Sequence, residues 1–386
     1  MLEKLDEKGV VLVKPETIHI GPEIDPGRIE PGVIIHPGCR VSGADTFICR
    51  GCELGKEAPA IVENCYAGPE VSLKGGYFKD SVFLKKSSVG SCAHVREGTI
   101  MEEHSGAAHS VGLKQTILFP FVTLGSIINF CDCLMAGGTG PDNHSEVGSS
   151  YIHFNFTPRQ DKATPSLIGD VARGVMLNQP PVFLGGQGGL VGPCRLEYGT
   201  VIAAGTINRK DEHRPGRLIF GGPDRPGNIP YKKGGALRNI SRIVENNLFY
   251  IASLHALRCW YSEIRSLFIC ESLPEQLYQG LIHTLDGCIE ERLRRFDKFA
   301  AGQVSQYEGR ALFDMESVPE AGDHETKRKF IEQVKQRIEV KGKQDYTGVI
   351  QSLDPAHAEL GAAWLQGIID ALMLRWKAGF QGLFNA

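Results

Sequence analysis

The chain has 386 residues, which is enough for two domains and a sizeable hydrophobic core. Its formal net charge of -3 and its pI near 6.5 exclude the basic surface field that nucleic-acid-binding proteins use. No run of 18 apolar residues occurs, and the opening MLEKLD mixes charges, unlike a signal peptide. We therefore expect a cytoplasmic protein that binds neither membrane nor nucleic acid.

The first two hundred residues carry an apolar residue at every sixth position over long stretches. A period of six fits neither an α-helix nor an alternating strand, but it is typical of a β-helix whose coils repeat a short strand and a turn. A sandwich of ordinary strands would show turn signals about every 8–12 residues. The series, with one five-residue step, are Ile18, Ile24, Ile29, Ile35 and Val41, then Phe83, Val89, Val95, Met101, Ala107, Leu113 and Phe119, and then Leu184, Leu190, Leu196 and Ile202.

The composition changes near residue 236. Before it, glycine is frequent and the predicted strands are short, whereas beyond it apolar residues follow a helical period of 3.6. We predict a mainly β fold, with a parallel β-helix over residues 1–212, a linker loop over 213–236 and an α-helical C-terminal extension over 237–386. The helices either cap the open end of the β-helix or form an oligomer contact.

The cysteines number eleven and lack the spacing of a disulfide framework, so we expect reduced thiols. Cys49 and Cys52 form the one CxxC pair. A zinc site needs a second pair of ligands and a redox site needs a thioredoxin-like context, and neither is evident. Buried cysteines at coil corners are therefore the expectation, and we predict no metal site.

Two cations at a spacing of eighteen residues predict an anion site. Arg96 and Lys114 each follow an inward aliphatic residue, Val95 and Leu113. If a coil comprises three hexads, residues eighteen apart lie above one another at about 4.8 Å. A guanidinium and an ammonium so placed suit a phosphate group. Two unrelated surface charges are the alternative that the spacing leaves open.

The segment from Arg96 to Thr206 resembles the acetyltransferase domain of the bifunctional UDP-N-acetylglucosamine pyrophosphorylase/glucosamine-1-phosphate N-acetyltransferase family, within the hexapeptide-repeat transferase superfamily. VREGT and SVGLKQT match its phosphate-binding arginine and lysine, at Arg96 and Lys114. The resemblance implies a left-handed β-helix that forms a homotrimer. It also implies that acetyl-CoA, as cosubstrate, and a sugar phosphate bind between subunits.

Two further segments match the family's acetyl-CoA contacts. VGSSYIHFNF resembles the run that ends in an Asn-Tyr pair, which falls here on Asn155 and Phe156. VFLGGQGGLVGPCRLEYGTVIAAGTINRKD resembles the closing coils and places Gly186 and Ala204 at two more contacts. The resemblance thus implies cofactor binding by these four residues.

The departures from the family concern the catalytic and sugar-binding positions. Counting from Lys114 without gaps, the family's general-base histidine falls on Ser126, its sugar-contacting tyrosine on Asn129 and its sugar-contacting asparagine on Glu146. A hydroxyl cannot accept an amine proton near neutral pH as an imidazole can. An inserted AGGTGPDN precedes His144, which is the candidate replacement base, with a solvated loop histidine as the alternative.

Together these features predict an acyl-CoA-dependent acyltransferase that acts on an amino-sugar phosphate or a nucleotide sugar. No G-x-G-T-[RK]-[ML] nucleotide-binding loop occurs, so we expect no pyrophosphorylase domain. The open alternative is a non-catalytic β-helix that binds a sugar phosphate or nucleotide sugar and signals its occupancy to a partner.

Overall fold

The computed structural model describes residues 1–155, 162–221, 239–304, 307, 309–313, 324–380 and 383. A parallel β-helix begins behind the short helix α1 (Leu2–Glu7), whose Leu5 is fully buried, and continues to Ile219. Long helices follow. The predicted fold class, a β-helix of hexapeptide repeats followed by an α-helical part, is confirmed.

Each coil contributes strands to three parallel ladders, here called face one, face two and face three. Face one contains Val11–Leu12, Ile34–Ile35, Glu53–Leu54, Ser72–Leu73, Ser88–Val89, Gly106–Ala107, Thr123–Leu124, Glu146–Val147, Phe183–Leu184, Val201–Ile202 and Leu218–Ile219.

Faces two and three together form the second sheet, because two seven-residue strands, Gly112–Leu118 and Asn129–Met135, run through the corner between them. Their first residues belong to face two and their last to face three. The other strands of face two are His19–Ile20, Arg40–Ser42, Ala60–Glu63, Gly76–Lys79, Ala93–Val95, Ile152–Phe154, Gly189–Val191 and Ile207–Asn208. Those of face three are Phe47–Ile48, Tyr66–Ala67, Ser81–Phe83, Thr99–Met101, Ser166–Ile168 and Arg195–Leu196.

The predicted inward positions form the core. Val89, Val95 and Leu113 are buried, and each strand donates its backbone hydrogen bonds to the adjacent coil, as His94 does to the carbonyl of Val111 at 2.8 Å. Because every coil satisfies its polar backbone groups on its neighbours, one apolar core extends along the whole β-helix.

The coil that includes Lys114 is one residue shorter than three hexads. Met101 pairs with Leu118 rather than with Phe119, so the inward step from Leu113 has five residues. The reason is that the strand Gly112–Leu118 continues through the corner without a separate turn. The six-residue prediction is therefore wrong by one position at Phe119.

Insertions interrupt the coils after residue 136. An antiparallel hairpin joins Gly138–Gly140 to Asn143–His144, and helix α2 (Val171–Gly174) lies in the next coil. The strand Leu218–Ile219 pairs with Val201–Ile202. The β-helix thus extends beyond residue 212, into the segment predicted as a linker, and residues 222–238 of that segment lie outside the described part.

The helical part lies along the side of the β-helix rather than over its open end, and the oligomer contact stays a prediction. At the two edges of face three, Tyr261 donates a 2.7 Å hydrogen bond to Glu102, and Arg292 forms a 2.8 Å ion pair with Asp132 of the second corner. The helices are α3 (Ile240–Glu263), α4 (Glu275–Gln303), α5 (His324–Lys341), α6 (Tyr346–Gln351) and α7 (Pro355–Ala378). In the described residues, none of the helices is long and apolar enough to cross a membrane.

The CxxC cysteines are both inside the β-helix. Cys49 and Cys52 are fully buried, and burial raises the pKa of the Cys52 thiol to about 12. A thiol that stays protonated is a weak nucleophile and a weak metal ligand. Over the described ranges, no three His, Cys, Asp or Glu side chains come together as a potential metal site.

Candidate functional site

The three corners of the coil separate the predicted site residues into groups. The first corner joins face one to face two, the second joins face two to face three, and the third returns to face one. Residues of one corner stack coil upon coil, whereas a side of the coil separates one corner from the next by roughly 15 Å of extended strand.

The first corner holds Ser126, Ser149, Gly186 and Ala204 in four successive coils. The Ser126 N–H lies 3.2 Å from the Ser149 hydroxyl, and the Ser149 carbonyl accepts a 2.8 Å hydrogen bond from the backbone of Gln187. The predicted catalytic residue Ser126 and the predicted cofactor-binding residues Gly186 and Ala204 therefore lie along one continuous strip of the surface.

Backbone is exposed along this strip because Gly185 and Gly186 cannot be replaced by residues with side chains. A Cβ atom on Gly185 would lie 2.3 Å from the backbone nitrogen of Ala204, and one on Gly186 would lie 2.7 Å from the carbonyl oxygen of Ser149. At Gly185 and Gly186 the adjacent coils are too close together to leave room for a side chain. This strip of backbone at the first corner is here called the corner groove.

A histidine that the sequence analysis missed lies at the head of this groove. His109 Nδ1 lies 2.9 Å from the Ser126 hydroxyl, and Nε2 has no hydrogen-bond partner among the described residues. His109 is exposed. His109 precedes Ser126 by seventeen residues, which is the length of this shortened coil. A regular coil of eighteen residues would instead place Ala108 next to Ser126.

The gap-free count to Ser126 also changes with the shortened coil. In a coil of regular hexads, the residue twelve after Lys114 would directly follow an inward residue of face one. Here that inward residue is Leu124, so alignment on the core puts Gly125 at the position and Ser126 one beyond it. Neither residue supplies an imidazole, whereas His109 does.

Asn129 and Glu146 flank the corner groove on its two sides. Asn129 begins the face-two strand that follows Ser126, and Glu146 lies on face one in the next coil. Both side chains are exposed. Their carboxamide and carboxylate groups are available for hydrogen bonds to a polar ligand that occupies the groove.

Arg96 and Lys114 stack at the second corner. Val95 pairs with Leu113, so the two cations that follow them occupy equivalent places in adjacent coils. Lys114 forms an ion pair with Glu97, while the buried Nε of Arg96 has no partner in the described part of the chain. The charge available to an anion is thus mainly that of Arg96 unless Glu97 releases Lys114.

Helix α4 adds further cations beside Lys114. A cavity of about 400 Å³ lies between the second corner and this helix, and its charged lining residues are the cations Lys114, Arg294 and Arg295 and the carboxylates Asp45, Asp80, Glu97 and Glu291. Both arginines donate hydrogen bonds to Glu291, at 2.8 and 2.7 Å. The sequence alone does not place them here, because the apolar period of a helix does not show where that helix contacts the β-helix.

The remaining predicted residues lie away from the corner groove. Asn155 follows a face-two strand and donates a 3.3 Å hydrogen bond to Asp132 near the second corner, apart from Gly186 and Ala204, and Phe156 lies outside the described residues. His144 lies on the hairpin of the third corner, with Nδ1 2.6 Å from the carbonyl oxygen of Pro141. Within one chain, His144 is therefore not positioned to replace the missing base, because a full side of the coil separates it from Ser126.

No protein-family model matches the chain. Over 204 residues the chain is 31% identical to the bifunctional protein GlmU of Pelobacter propionicus, covering 53% of this chain and 39% of that protein. It is 29% identical over 211 residues to the bifunctional protein GlmU of Fervidobacterium nodosum, covering 55% and 41%. The predicted resemblance is confirmed. The chain spans about two fifths of the length of these curated relatives.

Similar solved structures include UDP-N-acetylglucosamine O-acyltransferase (LpxA) from Moraxella catarrhalis, with 12% identity and a TM-score of 0.28, over 72% of this chain and 95% of that one. LpxA from Acinetobacter baumannii shows 15% identity and a TM-score of 0.25, over 72% and 93%.

Proposed function

We propose that this protein is an acyltransferase that moves an acyl group from acyl-CoA, with acetyl-CoA as the expected donor, to an amino-sugar phosphate or a nucleotide sugar. The observation that carries the proposal is the hydrogen-bonded pair of His109 and Ser126 at the head of the corner groove. The names of the GlmU relatives and of the LpxA structures are consistent with it.

In the proposed reaction the acceptor amine attacks the thioester carbonyl while His109 Nε2 accepts the amine proton. A C–N bond forms, the C–S bond breaks, and the imidazolium returns the proton to the departing CoA thiolate, so that no other reactant is needed. Ser126 accepts a hydrogen bond from Nδ1–H and thereby holds the tautomer that leaves Nε2 basic. Backbone N–H groups of the groove stabilise the oxyanion.

The phosphate of the acceptor is assigned to Arg96 and Lys114. A guanidinium with an unpartnered buried donor gains a hydrogen bond when an anion arrives, and the stacked ammonium adds a second charge. Glu97 competes for Lys114 in the free protein.

We expect this competition to be measurable. Arg96→Ala or Lys114→Ala should weaken a sugar phosphate by about 1.5–3 kcal/mol and leave the unphosphorylated sugar nearly unaffected. Glu97→Gln should act in the opposite direction, because it frees the Lys114 ammonium. Titration calorimetry with glucosamine-1-phosphate and glucosamine distinguishes the two effects. Equal losses for both sugars would show that the alanine variants damage the fold instead.

A second copy of the chain is needed to bring the two halves of the site together. The phosphate residues and the His109–Ser126 pair lie on different corners of the coil, too far apart for one amino-sugar phosphate to reach both. Face three is covered by helices, but faces one and two expose apolar side chains around the corner groove: Ile127, Ile152, Phe183, Val201 and Ile207. Threefold packing of these faces would join one chain's first corner to a neighbour's second corner.

We therefore predict a homotrimer with a mass three times the 42.2 kDa of the chain. Ile127 is a suitable position for a test, because it is 58% exposed and its φ of 59° is unfavourable for a β-branched residue. Ile127→Asn relieves that strain and removes the apolar contact, so it should shift the mass in light scattering toward the monomer without lowering the thermal midpoint. A monomeric parent at micromolar concentration would contradict the shared site.

Binding measurements test the proposal before any assay of turnover. Calorimetry of acetyl-CoA, CoA, sugar phosphates and UDP-sugars should show binding of both a CoA thioester and a phosphorylated sugar. Ala204 is exposed and already carries a Cβ atom, so Ala204→Phe covers the corner groove without a backbone clash and should abolish the CoA signal only. A protein that binds the sugars but never CoA would support the alternative of a sugar-binding β-helix without catalysis.

A further inference from the structure

The third corner carries a second cavity, of about 290 Å³, at the junction of the β-helix with the helical part. Lys85, Lys86 and His104 line it from the corner, while Arg265 and Tyr346 line it from the helices. Lys343, between α5 and α6, completes the opposite wall. This cavity lies one side of the coil away from the corner groove, and none of its residues takes part in the proposed acyl transfer.

The lining charges favour an anion. Four lining side chains are lysine or arginine, and two are carboxylates, Glu103 and Asp345. Glu103 is paired with Arg265, and Asp345 accepts a 3.0 Å hydrogen bond from the backbone of Gly348. Lys86 has only the distant Glu70, at 3.8 Å. In the described ranges Lys85 and Lys343 have no carboxylate partner, so two ammonium groups remain for a ligand.

A buried arginine supplies the second, independent observation. The Arg265 side chain is fully buried, with its guanidinium 3.7 Å from the centre of the Tyr346 ring. Its Nε and Nη1 atoms have no hydrogen-bond partner in the part of the chain that the structure describes. An unmade hydrogen bond of a buried charged donor is costly, and an oxyanion in the adjoining cavity would remove that cost.

We infer that the third-corner cavity binds a small phosphorylated molecule, whose phosphate oxygens contact Lys85, Lys343 and Arg265. Glu103 Oε2 is also buried without a partner, so it can accept a hydrogen bond from a hydroxyl group of the same ligand. Because Lys85 belongs to the β-helix and Lys343 to the helical part, such a ligand would hold the two parts together. The inference does not depend on the proposed acyl transfer.

Inorganic pyrophosphate is the test ligand, titrated into the 386-residue protein at constant ionic strength. Lys85→Met with Lys343→Met should weaken its binding at least tenfold, since it removes two charges that pair with no carboxylate of the described chain. Lys341→Met is the matched control: this lysine is exposed and lies two residues from Lys343, but it does not line the cavity. The control should bind as the parent does.

Two further measurements separate this site from the second corner. Lys114→Ala should leave pyrophosphate binding at the third corner unchanged, whereas it should weaken a sugar phosphate at the proposed acceptor site. Hydrogen exchange of residues 342–351 should slow when pyrophosphate binds to the parent and stay unchanged in the double variant. Equal losses in the double variant and in Lys341→Met, or retained binding in the double variant, would overturn the inference.

Discussion

His109→Gln is expected to lower the rate of acyl transfer by about 10²–10⁴ while the affinity for acyl-CoA stays nearly constant. Glutamine can still hydrogen-bond the Ser126 hydroxyl, but it cannot accept the proton of the attacking amine. The loss should therefore appear in kcat and hardly in KM for the acyl donor. Thiol release from acetyl-CoA in the presence of a saturating amino-sugar phosphate measures it.

Two matched variants make that result specific. Ser126→Ala keeps the imidazole and removes only the group that orients it, so its loss should be smaller than that of His109→Gln. His144→Gln should have no effect, because His144 lies on the hairpin of another corner and is bonded to its own turn. Full activity in His109→Gln would exclude His109 as the base, and a large loss in His144→Gln would assign that role to the inserted histidine.

Arg292→Met is expected to destabilise the fold by about 3–5 kcal/mol. Arg292 of α4 and Asp132 of the β-helix form a 2.8 Å ion pair, and their side chains are only 4% and 5% exposed. Removal of the arginine leaves a buried carboxylate whose remaining side-chain donor is Asn155, at 3.3 Å. The decrease in the free energy of unfolding should be measured by urea denaturation.

The controls for this prediction come from the same pair and the same helix. Asp132→Asn in the Arg292→Met background removes the orphaned charge and should recover most of the loss, and asparagine tolerates the left-handed φ of 62° at this position. Arg294→Met removes an exposed ion pair of α4 with Glu291 and should change the stability by less than about 1 kcal/mol. Similar losses in Arg292→Met and Arg294→Met would mean that burial of the pair contributes little.

The β-helix can be predicted from the sequence because its six-residue apolar period is local and is repeated along the chain. Val89, Val95 and Leu113 each follow the six-residue period, and each is buried in the strand expected of it. The stacking of Arg96 on Lys114 follows from the same period, because the two residues are eighteen positions, or three hexads, apart. Such positions need only the coil length, which is eighteen residues from Val89 to Ala107 and again from Leu184 to Ile202.

The site could not be predicted to the same extent, because it depends on departures from the period and on long-range packing. One residue missing between Leu113 and Leu118 changes which side chain stacks on Ser126, and His109 becomes visible only when the coil is counted as seventeen residues. The contact of Arg292 with Asp132 joins segments that no repeat relates. The cations of α4 beside Lys114 were hidden for the same reason.

The measurement that tests the central proposal most directly is the release of free CoA thiol from acetyl-CoA by the parent protein with glucosamine-1-phosphate or a UDP-amino sugar as acceptor. The proposal predicts thiol release that requires the phosphorylated acceptor, yields an equal amount of acylated sugar and is nearly abolished in His109→Gln. A parent protein that binds both ligands in calorimetry yet leaves acetyl-CoA intact with every acceptor would contradict it.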